Sequence, residues 1–327
     1  MFRRRAVLVA CVSALVPGAG SACAWAAPTR VVGHGTARSW TSSAVVAAVR
    51  AGGTIGFSCG PKPVTIRLRA TAKVLNTRRE IVLDGGGLVT LSGGGKRRIL
   101  YMDTCDPAQR FTTSHCQDQA TPRLVVRNLT FTHGNATGQR FDGGGGGAIF
   151  ARGGRLRIEH STFVENRCDP SGPDVGGGAV RALSQYHGLP VQVLDSRFTD
   201  NVCSNGGALS SIGVSWHVAH SRFDGNRAIG TGANPARAGT PGGGSGGAIY
   251  NDGNRFALTI TDTRMTDNHA REGGGAIFFV SNDRTGTLAI QDSALRHNPS
   301  NGFETRGLPG IFFEGAGRPT IVRSVLR

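Results

Sequence analysis

The stretch Val191 to Ser210 reads VQVLDSRFTDNVCSNGGALS. Val191 and Val193 alternate with polar neighbours, which predicts a short strand with one buried face. Ser196 and Phe198 alternate as well, but the parity breaks across Leu194-Asp195, so a bend separates this second strand from the first. Gly207-Ala208-Leu209 predicts a third. The unit recurs through most of the chain. Aligned on its aromatic position, the copies sit at Phe131, Phe163, Phe198, Phe223, Met265 and Leu295. Three residues later stand Asn166, Asn201, Asn226, Asn268 and Asn298; in the first copy Gly134 holds that place and Asn135 follows. The glycine end returns as Gly146-Gly147-Ala148-Ile149, Gly177-Gly178-Ala179-Val180, Gly206-Gly207-Ala208-Leu209, Gly246-Gly247-Ala248-Ile249 and Gly274-Gly275-Ala276-Ile277, and more weakly as Pro309-Gly310-Ile311-Phe312.

Self-similarity at this period is the mark of a solenoid. Three strands of a few residues cannot bury a core alone, but stacked parallel on the next rung at about 4.8 Å they can. Like residues then pile on like: a Phe ladder and an aliphatic ladder inside, an Asn ladder at a turn. Asn suits that turn because it tolerates a left-handed backbone and its amide can bond its own backbone or the neighbouring rung. The interval between aromatic positions runs from 25 residues (Phe198 to Phe223) to 42 (Phe223 to Met265), and the variation falls between the Asn and the Gly-Gly. A loop of variable length therefore rises from a constant rung. No helical periodicity of comparable strength is present. The pattern predicts an all-β chain folded as a right-handed parallel β-helix, with three short strands per rung.

The ends of the chain depart from the repeat. Residues 1–26 read as an export signal: Arg3-Arg4-Arg5, an apolar run from Ala6 to Val16, and Ala24-Trp25-Ala26 as a cleavage site. Residues 27–327 read as one β-helix domain, because each rung only extends a continuous core. Within it, 39–58 holds a capping helix (Ser39 to Arg50) and a first strand from Thr54 to Ser58. A short amphipathic helix ahead of the first rung covers the open end of a solenoid. Pro63 to Arg69, Glu80 to Leu83 and Leu88 to Leu91 predict irregular early strands, and Tyr101 to Pro122 an excursion. Regular rungs fill 124–312, and Thr320 to Leu326 predicts a last strand. No later apolar run is long enough to span a bilayer, so the expectation is a secreted, extracellular monomer, cell-wall associated or free.

Cysteines and charge sharpen this picture. Cys168 and Cys203 each lie two places after the ladder Asn of consecutive rungs, so stacking brings their Cα atoms near the ~5.5 Å that a disulfide wants. An exported protein permits the bond. Cys105 and Cys116 pair across the excursion, leaving Cys59 alone; Cys59 with either of them is the alternative. The whole chain carries a formal net charge of +16, almost all of the positive charge from Arg. Removing the signal leaves roughly +13, which reflects either an Arg-rich genome or an anionic partner such as a uronic-acid polysaccharide or an acidic cell-wall polymer. Nucleic acid is not expected, since a basic stripe interleaved with exposed aromatics is lacking. Along one flank, Asp195, His220, Asp262 and Asp292 share one repeat position and Arg197, Arg222 and Arg264 another. Alternating sign between these columns predicts a solvated ladder of ion pairs, each worth about 0–1 kcal/mol.

In the glycine-end strand the aliphatic residue faces inward, so its neighbours should face out: Ala148 and Phe150, Ala179 and Arg181, Ala208 and Ser210, Ala248 and Tyr250, Ala276 and Phe278. That predicts a shallow floor beside the variable loops, with Phe150, Phe278 and Arg181 as substrate-binding residues; the alternative is that loops cover the rings and they merely pack. Aromatic faces offer stacking area and Arg forks bind carboxylates bidentately. The FxxN and GGAI elements resemble the repeat of the polymorphic outer membrane proteins, over about Leu124 to Ile311. The helical cap followed by stacked strands is similar to the wider pectate-lyase-like β-helix superfamily. That resemblance implies carbohydrate chemistry, yet the Asp-Asp of its polygalacturonases is Gly-Gly here, and Arg318-Pro319-Thr320-Ile321-Val322-Arg323 has the wrong spacing for its pectate-lyase signature.

Elimination from a uronate needs its carboxylate neutralised and a base within reach of the C5 proton. The candidates are Arg271 and Arg181 for neutralisation, His269 or Tyr250 for the proton, and Glu272 with Asp174 for a Ca²⁺ ion; Asp142 also precedes a glycine run. Two functions are therefore expected of the sequence: a lyase acting on an acidic polysaccharide, or a non-catalytic, adhesin-like or wall-associated binding protein. Serine-hydrolase and nucleotide-binding fingerprints are absent.

Overall fold

In the computed structural model, which describes residues 27–140 and 143–327, successive coils stack as a parallel β-helix. The export signal read at 1–26 and Asp142 lie outside the described residues. The aromatic positions form one register: Phe131, Phe163, Phe198, Phe223, Met265, Leu295 and Leu326 are partners in consecutive coils. The four Phe rings stack at centroid distances of 4.9, 4.7 and 4.7 Å. They belong to one continuous buried core with the aliphatic residues of the other strands. Each coil spreads its hydrophobic residues over several short strands that only the neighbouring coil can cover.

One coil carries four strand segments, not three: Val191–Leu194, Arg197–Thr199, Val202–Cys203 and Leu209–Ile212. The additional two-residue segment follows the ladder Asn and pairs with Arg227–Ala228, which pairs in turn with His269–Ala270. The glycine-end strands form an 8-stranded sheet from Ala72–Lys73 to Ile311–Glu314. The first two strands of every coil merge into a 17-stranded sheet, because early strands run through the corner without a break. Glu80–Ser92 is one such strand, where the sequence pattern reads two; its register slips between Asp84 and Val89. Asp84 holds that bulge by accepting from the Gly86 N–H, Arg127 Nε and Asn128 Nδ2.

Two corners in each coil take left-handed backbone. The first falls at Asn128, His160, Asp195, His220, Asp262, Asp292 and Arg323 (φ 43–53°). The second falls one residue before the ladder Asn, at Glu165, Asp200, Asp267 and His297 among others. Asn, Asp and His tolerate this conformation better than most residues. Behind the first corner, Ser161, Ser196, Ser221, Thr263, Ser293 and Ser324 form a hydroxyl ladder, each oxygen from Ser196 onward accepting the backbone N–H of its counterpart one coil earlier. Behind the second, each Asn Nδ2 donates to the Oδ1 of the next Asn at 2.8–3.0 Å, from Asn166 to Asn298.

The flank ladder is corrected by this geometry. The corner residues pair within their own column: Asp195 lies 3.9 Å from His160 and 3.7 Å from His220, and His220 lies 3.4 Å from Asp262. Among the described residues the Arg column does not supply the partners; Arg264, for instance, donates to Thr266. Vertical neighbours are one strand spacing apart, closer than the next column along the coil.

At the N-terminal end the helix is Ser42–Ala51, capped by Thr41, whose hydroxyl accepts from the Ala44 N–H. Val45, Ala48 and Val49 bury against the first strands. A strand missed by the sequence reading, Arg30–Val32, precedes the helix and pairs with Gly53–Phe57. The far end is as regular as the middle: Thr320–Val322 and Val325–Leu326 are two strands separated by the corner at Arg323. Both expected disulfides are present, Cys168–Cys203 with Cα atoms 4.8 Å apart and Cys105–Cys116 at 5.0 Å. Cys59 is free and buried. Among the described residues no helix is long and apolar enough to cross a membrane.

Candidate functional site

The glycine pair does two jobs. Gly206 has φ +50°, and a Cβ on Gly207 would lie 2.4 Å from the Arg227 nitrogen and the Gly247 oxygen. The first glycine turns the chain; the second lets three backbones meet. This tight turn leads Ala148, Ala179, Ala208, Ala248 and Ala276 into the core alongside the aliphatic residue, so these alanines are not part of an outer floor.

The next residue of each glycine-end strand does face away from the core, and the register makes one column: Lys73, Tyr101, Phe150, Arg181, Ser210, Tyr250, Phe278, Phe312. Tyr101 was missed because it sits where the sequence pattern reads the start of an excursion; the apolar run Ile99 to Met102 was the available signal. The column is not an open floor. Phe150 and Tyr250 have no exposed surface, Arg181 has 1 % and Phe278 2 %. The variable loops fold back over them, so the expected stacking platform at Phe150 and Phe278 is packing. Tyr250 and Phe278 stack at 4.9 Å, and Phe278 meets Phe312 and Phe303.

Arg181 sits in the middle of this covered column. Its guanidinium donates to the Ser210 hydroxyl and to the Asp174 carbonyl oxygen, while its Nε has no partner. Burial pushes it down to about 10, against the opposing influence of Tyr250, Asp174 and Asp252. Tyr250 accepts from Asn234 Nδ2 at 2.6 Å and donates to Asp252 Oδ2 at 3.0 Å. Burial, then the Asp252 charge, raises its phenol well above the ordinary value. A phenol held protonated and already donating to a carboxylate is poorly placed to take a proton from a substrate.

The other candidates lie around the second corner. His269 Nε2 is 3.1 Å from Asn301 Oδ1, and Arg271 donates to Thr231 Oγ1 at 3.0 Å. Glu272 is buried and receives Arg237 through both oxygens, at 2.8 and 2.9 Å, with the Gly232 N–H at 2.8 Å. The Arg237 hydrogen bonds hold its carboxyl below the usual range. No hydrogen bond or ion pair among the described residues joins His269, Arg271 or Glu272 to Arg181 or Tyr250. What links the two places is the loop from Ile229 to Ser245: it sends Asn234 to Tyr250 and Arg237 to Glu272. Asp174 meets Asn234 at 3.4 Å instead of joining Glu272. Among the described residues no group of three or more His, Cys, Asp or Glu is gathered for a metal.

Two of the cavities among the described residues bear on the expected floor and its arginines. One, of about 400 Å³, opens at the N-terminal end of the covered column, with Lys73, Arg98 and Arg140 around Tyr101. Lys73 and Arg98 place their charges 5.4 and 5.5 Å from the Tyr101 ring centre. The other, of about 470 Å³, lies on the outer face of the first strands of the early coils. Its floor is Val82 and Val125, its rim is Leu189 and Pro190, and Arg123, Arg127, Arg155 and Arg157 surround it. Arg123 pairs with Glu80, Arg127 with Asp84 at 2.8 Å, and Arg157 with Glu159 and Gln192. The sequence reading passed over this groove because its arginines stand outside the FxxN and GGAI elements.

Residues 220–252 match the Chlamydia polymorphic membrane protein repeat. The matched span covers most of one coil, from the corner at His220 through Phe223 and Asn226 into the Ile249–Gly253 strand. In comparisons with curated proteins and with solved structures, nothing matches.

Proposed function

We propose that this chain is an exported, surface-associated β-helix that binds an acidic polymer, as an adhesin-like protein does, and does not cleave it. The observation that carries this reading is the dispersal of the candidate catalytic residues: Arg181 and Tyr250 are buried under loops and tied to Ser210 and Asp252, while His269, Arg271 and Glu272 hold turns elsewhere. Elimination needs a cation and a base on one substrate carbon. Binding needs only a long flank with charges at regular intervals, and the net charge of roughly +13 left after removal of the signal supplies the sign.

The match of most of one coil to a polymorphic membrane protein repeat supports a surface role. The two disulfides suit an oxidising compartment outside the cytoplasm. The test incubates the purified protein with a panel of uronate polymers, with and without Ca²⁺, while ultraviolet absorbance is followed for unsaturated ends. Salt-sensitive retention on the same immobilised polymers with a flat absorbance trace is the expected result. Rising absorbance restores the lyase reading, and absence of retention on every polymer rejects acidic-polymer binding.

A further inference from the structure

Arg155 is the unmatched charge of the arginine groove. The other three arginines there each meet a carboxylate, whereas the Arg155 side chain has no ion pair and no hydrogen bond among the described residues, and its Nε is buried without a partner. Arg123 and Arg155 are direct register partners on adjacent coils, so two guanidinium groups leave neighbouring strand positions on the same side. Like charges directly opposite one another destabilise a sheet, and a buried donor left unpaired costs free energy. An anion bound between the two guanidinium groups offsets the first cost, because Arg123 shares its charge with Glu80 and Arg155 shares its charge with nothing.

We propose that this groove is the carboxylate subsite for a uronic-acid chain, with Arg155 as the receiving residue and Arg123 as its flank; the inference rests on the acidic-polymer reading above. The guanidinium fork matches a planar carboxylate with two parallel hydrogen bonds. Val82 and Val125 form an apolar floor that suits the C–H face of a pyranose ring, a feature that a bare phosphate would not use. Leu189 is 42 % exposed at the rim, an apolar lip that a bound sugar would cover. The cavity, about 470 Å³, exceeds the needs of a small inorganic anion.

The experiment titrates the full chain, by calorimetry, with a short oligogalacturonate, its methyl-esterified counterpart, a sulfated oligosaccharide and inorganic phosphate. The expected result is binding of the free-acid oligomer that weakens on the order of tenfold in Arg155→Ala and recovers in part in Arg155→Lys. Arg155→Ala should unfold at a denaturant midpoint no lower than the parent's, since no intramolecular bond is lost and a like-charge contact with Arg123 is relieved; a residue with only a structural role would lower the midpoint and leave affinity unchanged. Oligogalacturonate binding unaffected by Arg155→Ala overturns this subsite and leaves the acidic-polymer reading intact. Equal binding of the esterified oligomer, or preference for the sulfated oligomer or for phosphate, overturns the carboxylate assignment. No binding of any anionic probe overturns both.

Discussion

Asn201 donates from Nδ2 to Asn226 Oδ1 at 2.9 Å, and the same oxygen receives the Asn201 backbone N–H at 3.1 Å. One side-chain oxygen thus satisfies two buried donors of the coil before it, while the Asn201 Nδ2 also reaches the Phe163 carbonyl. This pairing repeats from Asn166 to Asn298 and links adjacent coils at the second corner.

Replacing Asn226 by Ala removes the acceptor for both Asn201 donors and the donor to Asn268 Oδ1 and the Phe198 carbonyl. Each buried group left unpaired costs about 1–3 kcal/mol, so a loss of roughly 3 kcal/mol is expected in chemical denaturation. Asn226→Asp keeps the acceptor oxygen but buries a charge and should be no milder.

Phe198 lies between Phe163 and Phe223 at 4.7 Å from each, with no exposed surface. Phe198→Ala should cost about 3–5 kcal/mol through the cavity it leaves. Phe198→Leu should cost only about 1 kcal/mol, because Met265 and Leu295 occupy the same place in later coils and an aliphatic side chain fits the column. Unfolding midpoints of the two variants provide the comparison.

The two disulfides should differ in weight. Cys168–Cys203 spans a sequence separation of 35 and joins consecutive coils, whereas Cys105–Cys116 spans 11 within one excursion. By loop closure, replacing the first pair with Ala should cost about 3–4 kcal/mol and the second somewhat less. Denaturation of the two double variants checks the order. Cys59 should resist alkylation until the chain unfolds, because it is buried and burial raises its thiol.

Acid should loosen the loop from Ile229 to Ser245. The Arg237 hydrogen bonds depress the Glu272 carboxyl in the folded state, so its contribution to stability is present above the unfolded carboxylate value and is lost as pH falls through the folded one. Hydrogen exchange at Gly232 to Thr240 should quicken between neutral pH and pH ~3, after correction for intrinsic rates, ahead of the coil strands. Glu272→Gln should produce the same loosening at neutral pH. Unchanged protection in both cases would show that the clamp does not hold the loop.

The sequence by itself determined the solenoid. The Phe, Asn and Gly-Gly positions recur in an order that only stacked coils can satisfy, and the Cys168–Cys203 bond followed from that order alone. Local pattern also placed the capping helix to within a few residues. It did not separate Glu80–Leu83 from Leu88–Leu91 correctly, since the Asp84 bulge is made by Arg127 and Asn128 of the next coil. Which outward residues meet solvent was decided only by the tertiary structure. Phe150, Arg181, Tyr250 and Phe278 face away from the core as their alternation demands, yet loops of irregular length close over them, and no periodic signal encodes where a loop comes to rest. The groove around Arg155 arises the same way: Val82, Val125, Arg155 and Leu189 are far apart along the chain and become neighbours only because each coil returns beneath the last.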